Sequence, residues 1–361
     1  MRRTNSVRTG ESTLIRKDIK SLSAYHVPDS SGMIKLDAME NPFKLPESLK
    51  VSWDACLSSV DINRYPDAEM AELRTKIAHH AGVNADQILL GNGSDEIIQM
   101  IIMAIDPGTC VVPSPTFVMY DLISRWFKRP VATVPLANDF SLNADQFLQV
   151  CGREKAEIAF LACPNNPTGN LWPEETIARI ANGFDGLLVI DEAYGPFSER
   201  SHTHLVASNV LVLRTFSKLG WAGLRLGYVI GEAETIAHLN KVRMPYNINA
   251  LTQAAASFLL DHFDLFEMQA TEIKKERKRM SKALQTFNGV NTFPSQANFI
   301  LMQVPDANAL FDQLKTHGIL IKNMHASGGL LSNCLRITIG SKDENDAVLA
   351  AMDDIINGVS A

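Results

Sequence analysis

Short runs of β-branched and other apolar residues recur along the first two thirds of the chain, with amphipathic or polar segments between most of them. They lie at residues 87–91, 110–113, 131–136, 157–163, 187–191, 209–215 and 227–231. Apolar runs of this length are typical of buried strands, and the intervening segments suit helical connections. The pattern predicts an α/β fold, with a mostly parallel sheet covered by helices on both faces.

The pattern changes after residue 250. Residues 251–287 show helical periodicity with a charged face, including IKKERKRMSK, which is typical of a solvated helix surface. Later segments predict strands at 297–304, 319–322 and 335–339, and helices at 306–317 and 343–357. We therefore expect a smaller α+β domain at residues 251–361, a large cofactor-binding domain at 45–250, and an N-terminal arm with part of the small domain at 1–44.

Composition excludes several classes of protein. A chain of 361 residues with 46% hydrophobic residues favours two packed globular domains with a cleft between them. A net charge of −6 gives no basic footprint for nucleic acid. No apolar stretch reaches the ~18 residues of a membrane span. The five cysteines have no CxxC spacing, so we expect no metal site and reduced thiols in the cytoplasm.

Polar motifs directly follow several of the apolar runs, which predicts that they converge at one edge of the sheet. The motif GNGSDE at 91–96 precedes an apolar helix, so its backbone N–H groups could hold a small phosphate. It lacks the glycine and lysine patterns of nucleotide-binding loops. An ordinary helix N-cap is an equally good interpretation of this motif alone.

Two further motifs supply an acid and an amine. Asp191, in DEAY, ends an apolar strand, where a buried carboxylate needs a cationic partner such as a pyridinium nitrogen. Lys218, in TFSKLGWAGLR, is preceded by two hydroxyl residues and followed by Arg225. A lysine in such surroundings can act as a nucleophile and a proton shuttle. The alternatives are an N-cap aspartate and a surface lysine.

The motifs GNGSDE, PNNPTG, DEAY and TFSK…GLRLGY, in this order and spacing, resemble those of fold-type I pyridoxal-phosphate aminotransferases. The resemblance runs from about residue 25 to the C-terminus. PYNIN at 245–249 and LRITIG at 335–340 are most similar to the histidinol-phosphate branch. The resemblance implies amino-group transfer between glutamate and imidazole-acetol phosphate in histidine biosynthesis, by a cytoplasmic homodimer with pyridoxal phosphate.

The resemblance also implies roles for individual residues. Lys218, Asp191 and Tyr194 would be catalytic. The cofactor would be bound by Gly93, Ser94, Asp95, Phe117, Asn166, Asp191, Tyr194, Thr215, Ser217, Lys218 and Arg225, with Tyr65 reaching the phosphate in the neighbouring subunit. The substrate would be bound by Tyr25, Glu40, Asn41, Asn166, Lys322 and Arg336.

The sequence departs from the family at three places. Met39 stands where relatives commonly have Asn, and Lys322 stands where many have a second substrate arginine, so substrate affinity is affected more than reaction type. The interval from Lys218 to Arg225 is one residue shorter than in many aminotransferases, which predicts a tighter turn.

Alternative functions on the same scaffold are an aromatic amino-acid aminotransferase and a decarboxylase of a phosphorylated amino acid. A non-catalytic regulator that senses the cofactor is disfavoured because Lys218 is present and no DNA-binding segment precedes residue 40. A zinc enzyme using His202 and His204 is disfavoured because SHTH is a polar connection with no clear third ligand.

Overall fold

The computed structural model describes residues 14–24 and 27–358. The strands are β1 (Ile34–Lys35), β2 (Ile88–Asn92), β3 (Thr109–Ser114), β4 (Val131–Pro135), β5 (Ala156–Ala162), β6 (Leu187–Asp191), β7 (Val210–Thr215), β8 (Leu226–Ile230), β9 (Asn291–Thr292), β10 (Phe299–Gln303), β11 (Ile319–Leu320), β12 (Lys322–Asn323) and β13 (Cys334–Thr338). The α-helices are α1 (Lys17–Lys20), α2 (Glu47–Ser58), α3 (Ala71–Ala81), α4 (Ser94–Ala104), α5 (Met119–Trp126), α6 (Ala144–Glu154), α7 (Glu174–Gly183), α8 (Ala233–Asn240), α9 (Ala250–Leu260), α10 (Phe263–Leu284), α11 (Ala307–Thr316) and α12 (Lys342–Ile356).

The large sheet has seven strands in the order β2-β8-β7-β6-β5-β3-β4. The strands from β7 to β4 pair in parallel, whereas β8 runs antiparallel to both β7 and β2. Successive residues enter different cores: Leu188 and Ile190 pack in one apolar cluster, and Leu187 and Val189 in the other. Both faces are therefore buried, which explains why the strands are apolar at nearly every position. The expected mostly parallel sheet is confirmed.

The helices lie on both faces of this sheet. One core contains side chains from α3, α6, α7 and α10, among them Ile77, Phe147, Ile177 and Ile273. The other contains side chains from α4, α5 and α8, among them Ile97, Ile123 and Ile236.

A smaller sheet, with the antiparallel order β12-β13-β10-β9, follows in the C-terminal part of the chain. Helices α11 and α12 pack in the same apolar cluster as its strands, through residues such as Leu310 and Val348. Strand β1 pairs in parallel with β11, which brings the segment after Ile34 beside this part of the fold. The expected smaller α+β part is confirmed.

Most of the predicted elements shift by one or two residues at their ends, and two predicted segments are each divided in the structure. Residues 319–322 contribute to two short strands separated by Ile321: β11 pairs with β1, and β12 pairs with β13 in another sheet. The helical stretch at 251–287 is two helices, α9 and α10, separated by Asp261 and His262. The described residues divide after Ser31 into two compact units, and all strands belong to the second. Domain boundaries near residues 44 and 250 stay a prediction.

Candidate active site

The carboxyl ends of the parallel strands meet at one edge of the large sheet. Strands β3, β5, β6 and β7 end there, and β2 ends there too, because it is antiparallel to β8, which is antiparallel to β7. Strand β8 begins at this edge, directly after Arg225. Small ligands of open α/β sheets bind at such an edge. The fold therefore brings the polar motifs together.

A cavity at this edge is lined by Met39, Ser94, Asp95, Phe117, Tyr120, Ala162, Asn166, Asp191, Ala193, Tyr194, Thr215, Ser217, Lys218 and Arg225. Apart from Gly93 and Tyr65, every cofactor residue implied by the resemblance is in this set. Lys218 and Asp191 line the same cavity, as the interpretation of the sequence requires. Sequence reasoning missed Tyr120, although its position three residues after Phe117 put both rings on one side of a helical turn.

Gly93 and Arg225 form a cradle at the N-terminus of α4. Gly93 has φ of +81°, and a Cβ there would lie 2.6 Å from Nη2 of Arg225. Glycine therefore lets the guanidinium approach the first N–H groups of the helix. Nη1 of Arg225 donates to Oγ of Ser217 at 3.4 Å, and the Ser217 N–H donates to Oγ1 of Thr215 at 3.1 Å. A helix N-terminus, a guanidinium and hydroxyls suit a small phosphate.

Asp95 and Phe117 complete the walls near this cradle. Oδ2 of Asp95, in the first turn of α4, lies 3.8 Å from Nη2 of Arg225, which helps to orient the guanidinium. Phe117 is partly buried, and its ring meets the ring of Tyr120 edge-on, with centroids 5.4 Å apart. An aromatic ring held in this way presents a flat apolar surface to a ligand.

Lys218 lies in the turn after β7, and its Nζ donates to the carbonyl of Ala38 at 3.0 Å. Burial and then the positive charge of Arg336 lower the pKa of Lys218 to about 8. A substantial fraction of its amine is therefore neutral near pH 7 to 8. The neutral amine is the form that attacks a carbonyl carbon and that accepts a proton.

Asp191, the last residue of β6, is 3% exposed. Its Oδ1 accepts from the Ala193 N–H at 2.9 Å, and its Oδ2 accepts from the Tyr120 hydroxyl at 2.6 Å. Burial raises the pKa of Asp191 to about 6, although both hydrogen bonds favour the carboxylate. A carboxylate with a raised pKa is stabilised when a cationic ligand reaches it.

Replacing Asp191 by Asn should remove one pH dependence from the stability of the cofactor-free protein. The folded-state pKa of about 6 lies above the ordinary value of 3.8, so the folded protein binds more protons between these values. Its stability therefore falls as pH rises from about 4 to about 6, by up to about 3 kcal/mol. Urea denaturation across this interval should show a smaller fall for Asp191→Asn than for the wild type. Parallel pH profiles of the two proteins would contradict this.

Arg336, in β13, begins a hydrogen-bonded chain into the cavity. Its Nη1 donates to Oδ1 of Asn166 at 2.6 Å, and Nδ2 of Asn166 donates to the Tyr194 hydroxyl at 3.0 Å. Its Nη2 donates to the carbonyl of Asp37 at 2.8 Å, and its guanidinium lies 5.4 Å from the ring centroid of Phe299. Burial raises the pKa of Tyr194, so its hydroxyl stays protonated and can donate to a ligand.

Residues 31–352 match the family model described as aminotransferase class I and II. Histidinol-phosphate aminotransferase 1 of Burkholderia lata is 47% identical over 345 residues, which cover 94% of this chain and 97% of that protein. The chain belongs to the class I and II aminotransferase family.

Other similar proteins agree with this assignment. Histidinol-phosphate aminotransferase of Methylibium petroleiphilum is 44% identical to this aminotransferase, with 95% of each chain covered. The crystal structure of histidinol-phosphate aminotransferase from Sinorhizobium meliloti, in complex with pyridoxal-5'-phosphate, has a TM-score of 0.86 at 27% identity and covers 96% of this chain and 99% of that one.

Two residues expected at the substrate of this aminotransferase occupy neighbouring strands. Lys322 on β12 lies directly opposite Arg336 on β13. Opposed residues of an antiparallel pair point to the same face, so the two side chains form a cationic pair. Neither residue lines the cavity of Lys218: Lys322 is partly buried, and Arg336 reaches the cavity wall through Asn166. Their substrate roles stay predictions.

Glu40 and Asn41 make their contacts elsewhere in this aminotransferase. The exposed Glu40 accepts from Nζ of Lys35 at 2.5 Å. Asn41 donates to the carbonyl of Leu219 at 2.8 Å and to Oε1 of Gln269 at 3.0 Å, so it ties its segment to the turn of Lys218. Neither lines the cavity, and their substrate roles stay predictions.

Tyr65, which is expected at the site, lies outside the cavity lining. Tyr65 is 81% exposed, and its ring stacks on Tyr246 with centroids 4.5 Å apart. It does not line the cavity of its own chain, and its contact with another subunit stays a prediction. Tyr25 lies outside the described residues.

A larger cavity, of about 470 Å³, shares Thr215 with the first cavity and is also lined by Phe216 and Glu192. Its buried acid, Glu192, accepts from Nε of Arg214 at 2.9 Å and from the His202 N–H at 2.5 Å. That acid is already paired with an arginine, whereas Asp191 accepts only from neutral donors among the described residues. The smaller cavity therefore offers a buried acid that can pair with a cationic ligand, and the larger cavity does not.

The described part of this aminotransferase contains no group of three His, Cys, Asp or Glu side chains arranged to hold a metal ion. His202 and His204 both approach Glu174, with Nε2 atoms 3.6 and 2.8 Å from its carboxylate oxygens. Across residues 14–24 and 27–358, no helix combines the length and the apolar character needed to cross a membrane.

Proposed function

We propose that this aminotransferase uses pyridoxal phosphate to transfer an amino group from glutamate to imidazole-acetol phosphate, which forms histidinol phosphate in histidine biosynthesis. The observation that carries the proposal is that Lys218, Asp191 and the Arg225 cradle meet at one cavity. An amine, a buried acid and a phosphate site match the aldehyde, the ring nitrogen and the phosphate of this cofactor. The names of relatives at 44 to 47% identity support the substrate.

The residues at the cavity fit each part of the cofactor. We assign the phosphate to Gly93, Ser94, Asp95, Thr215, Ser217 and Arg225, the ring nitrogen to Asp191, the ring hydroxyl to Asn166 and Tyr194, and the ring face to Phe117. The close approach of Gly93 to Arg225 supports the phosphate site, since any side chain there would fill the cradle. The raised pKa of Asp191 supports a cationic ring nitrogen as its partner.

Lys218 would move the proton on which amino transfer depends. Bound pyridoxal phosphate withdraws electrons from the substrate Cα and makes its hydrogen acidic. With a pKa of about 8, Nζ of Lys218 can accept that proton from Cα and then donate it on the cofactor side of the C–N bond. The carbonyl of Ala38 orients Nζ at the wall of the cavity.

Arg336 and Lys322 would bind the anionic end of each substrate. Like charges directly opposite each other on neighbouring strands repel, so this pair favours an anion between them. The planar guanidinium of Arg336 can take a carboxylate or a phosphate through two parallel hydrogen bonds. One cationic pair can therefore serve glutamate in one half-reaction and the phosphate ester in the other.

We also propose a cytoplasmic homodimer, in which Tyr65 of one subunit contacts the cofactor phosphate of the other. The 81% exposure of Tyr65, beside the exposed Ile62 and Met244, supports an interface at this surface. The five cysteines are unpaired and four are buried, which suits a reducing compartment. Sedimentation at micromolar concentration should give twice the chain mass.

Replacing Gly93 by Ala should weaken cofactor binding by about tenfold or more, because the new Cβ displaces the guanidinium of Arg225. Gly328→Ala is the matched control: Gly328 has φ of +66° and ψ of −169°, close to the φ of +81° and ψ of 167° of Gly93, but a Cβ added there would meet no atom within 4 Å. Both variants carry a similar backbone strain. Fluorescence titration with pyridoxal phosphate should show the loss of affinity only in Gly93→Ala.

The substrate is tested by comparing histidinol phosphate, phenylalanine and O-phosphothreonine as amino donors to 2-oxoglutarate with one preparation. We expect the highest kcat/KM with histidinol phosphate. A preference for phenylalanine would identify an aromatic aminotransferase. Release of carbon dioxide from O-phosphothreonine without 2-oxoglutarate would identify a decarboxylase, and either result would overturn the proposal.

A further inference from the structure

Tyr120 is the one fully buried tyrosine of the cavity wall that has no role in the assignments above. It lies in the first turn of α5. Its ring stacks on Phe160 of β5, with centroids 4.7 Å apart and ring planes 9° apart. Its hydroxyl donates to Oδ2 of Asp191 at 2.6 Å. The stacking fixes the ring, so the hydroxyl has one direction in which to donate.

This hydrogen bond fixes the orientation of the Asp191 carboxylate. Oδ2 accepts from Tyr120 and Oδ1 accepts from the Ala193 N–H, so each oxygen has a donor and the plane of the group is set. The same tyrosine ring meets the edge of Phe117. Tyr120 therefore contacts both residues that we assign to the ring of the cofactor, one at its nitrogen and one at its face.

The charges around Asp191 make this donor important. Burial raises the pKa of Asp191, and the nearby carboxylates of Asp95 and Glu192 raise it further. The hydrogen bonds from Tyr120 and Ala193 lower it. Burial, together with the charge of Asp191, raises the pKa of Tyr120 well above its ordinary value, so the hydroxyl stays a donor.

Besides Tyr120 and Asp191, the titratable and charged groups that line this cavity are Asp95, Tyr194, Lys218 and Arg225. Without the Tyr120 hydroxyl, the carboxylate of Asp191 would lose its stabilising side-chain donor and become a stronger base. It would then compete with a ring nitrogen for the proton between them.

We propose that Tyr120 is a positioning residue: by donating to Asp191 it keeps the shared proton on the ring nitrogen of the bound cofactor. The inference rests on the proposed function, since it takes pyridoxal phosphate as the ligand. The hydroxyl acts through Asp191 and need not touch the cofactor. Loss of the hydroxyl would change the position of one proton. The rate of amino transfer would change only as a result of that shift.

The direct test is the ¹⁵N NMR signal of pyridoxal phosphate, labelled at the ring nitrogen and bound to wild type and Tyr120→Phe at the same pH. We expect the ratio of protonated to neutral nitrogen to fall by about tenfold in Tyr120→Phe, which keeps the ring and loses only the donor. Tyr228→Phe is the matched control, because it removes another buried tyrosine hydroxyl, on β8, that does not contact Asp191. We expect its spectrum to match the wild type.

The cofactor-free protein gives an independent readout. In Tyr120→Phe, the fall in stability that Asp191 causes with rising pH should extend above pH 6, whereas a simple packing defect would lower stability equally at every pH. If Tyr120→Phe does not fold, Phe160→Leu keeps the hydroxyl but removes the ring that fixes it, and a smaller ¹⁵N shift in the same direction is expected.

The outcomes separate this inference from the proposed function. A wild-type protein that binds no pyridoxal phosphate would overturn both. A wild type that binds the cofactor and transfers amino groups, together with a Tyr120→Phe variant whose ¹⁵N signal is unchanged, would overturn the role of Tyr120 alone.

Discussion

Replacing Lys218 by Ala is expected to lower kcat for amino transfer by about 10⁴-fold or more, the largest effect of any single substitution in this protein. The variant loses the amine that joins the aldehyde and the base that moves the Cα proton. Its cavity keeps the acid and the phosphate cradle, so it should still bind pyridoxal phosphate. Turnover of glutamate in a coupled assay measures the loss.

Borohydride reduction followed by mass spectrometry gives the control for this result. The wild type should gain the mass of the cofactor on the peptide that contains Lys218, and Lys218→Ala should not. Lys342→Ala removes an exposed lysine on α12 that pairs with Asp346, and it should keep wild-type activity. Cofactor mass on another lysine of the fully active wild type would remove Lys218 from its proposed role.

Replacing Arg336 by Met should lower kcat/KM for both glutamate and histidinol phosphate by about 10²–10³-fold, equivalent to about 3–4 kcal/mol. Methionine fills much of the space of the arginine stem but cannot bind an anion. Because one guanidinium would serve both substrates, both half-reactions should slow when each is followed by stopped-flow absorbance.

Arg277→Met is the matched control for a buried arginine. Arg277 is 6% exposed and donates to the carbonyls of Phe197 and Ala297. Among the described residues, it has no hydrogen bond to the cavity wall, whereas Arg336 donates to Asn166 there. Its loss should lower the melting temperature and leave KM unchanged. A loss of affinity in Arg336→Met for one substrate only would show that the two anions bind at different places.

The strands of the large sheet could be predicted from the sequence because most of them are apolar at nearly every position and several are followed by a polar motif. The strand at Leu187–Asp191, for example, has the bounds that the sequence predicts. Both faces of a parallel sheet are buried, so such a strand is recognised as a continuous apolar run and not by alternating apolar and polar residues. The division of 319–322 could not be read, because the apolar run continues through Ile321 while its backbone partners change.

The site was readable only in part. The sheet topology brings three residues together because each lies at the end or the start of a strand: Asp191, Lys218 and Arg225. Tyr120 was missed because nothing in a tyrosine on an amphipathic helix indicates that its hydroxyl meets an acid 71 positions away in the chain. Glu40 and Asn41 belong to a motif, but motif membership does not tell whether a polar side chain faces a ligand or ties two segments together.

The segment before Met39 binds two cations through backbone carbonyls: the carbonyl of Ala38 accepts from Lys218, and that of Asp37 accepts from Arg336. Every residue type has a backbone carbonyl, so a comparison of amino-acid identities at these positions cannot reveal the two hydrogen bonds. Substitutions at the two positions can leave both hydrogen bonds intact. Insertion or deletion of one residue would move the acceptors by about 3.8 Å and break the register. The two hydrogen bonds therefore constrain the length of this segment more than the identity of its residues.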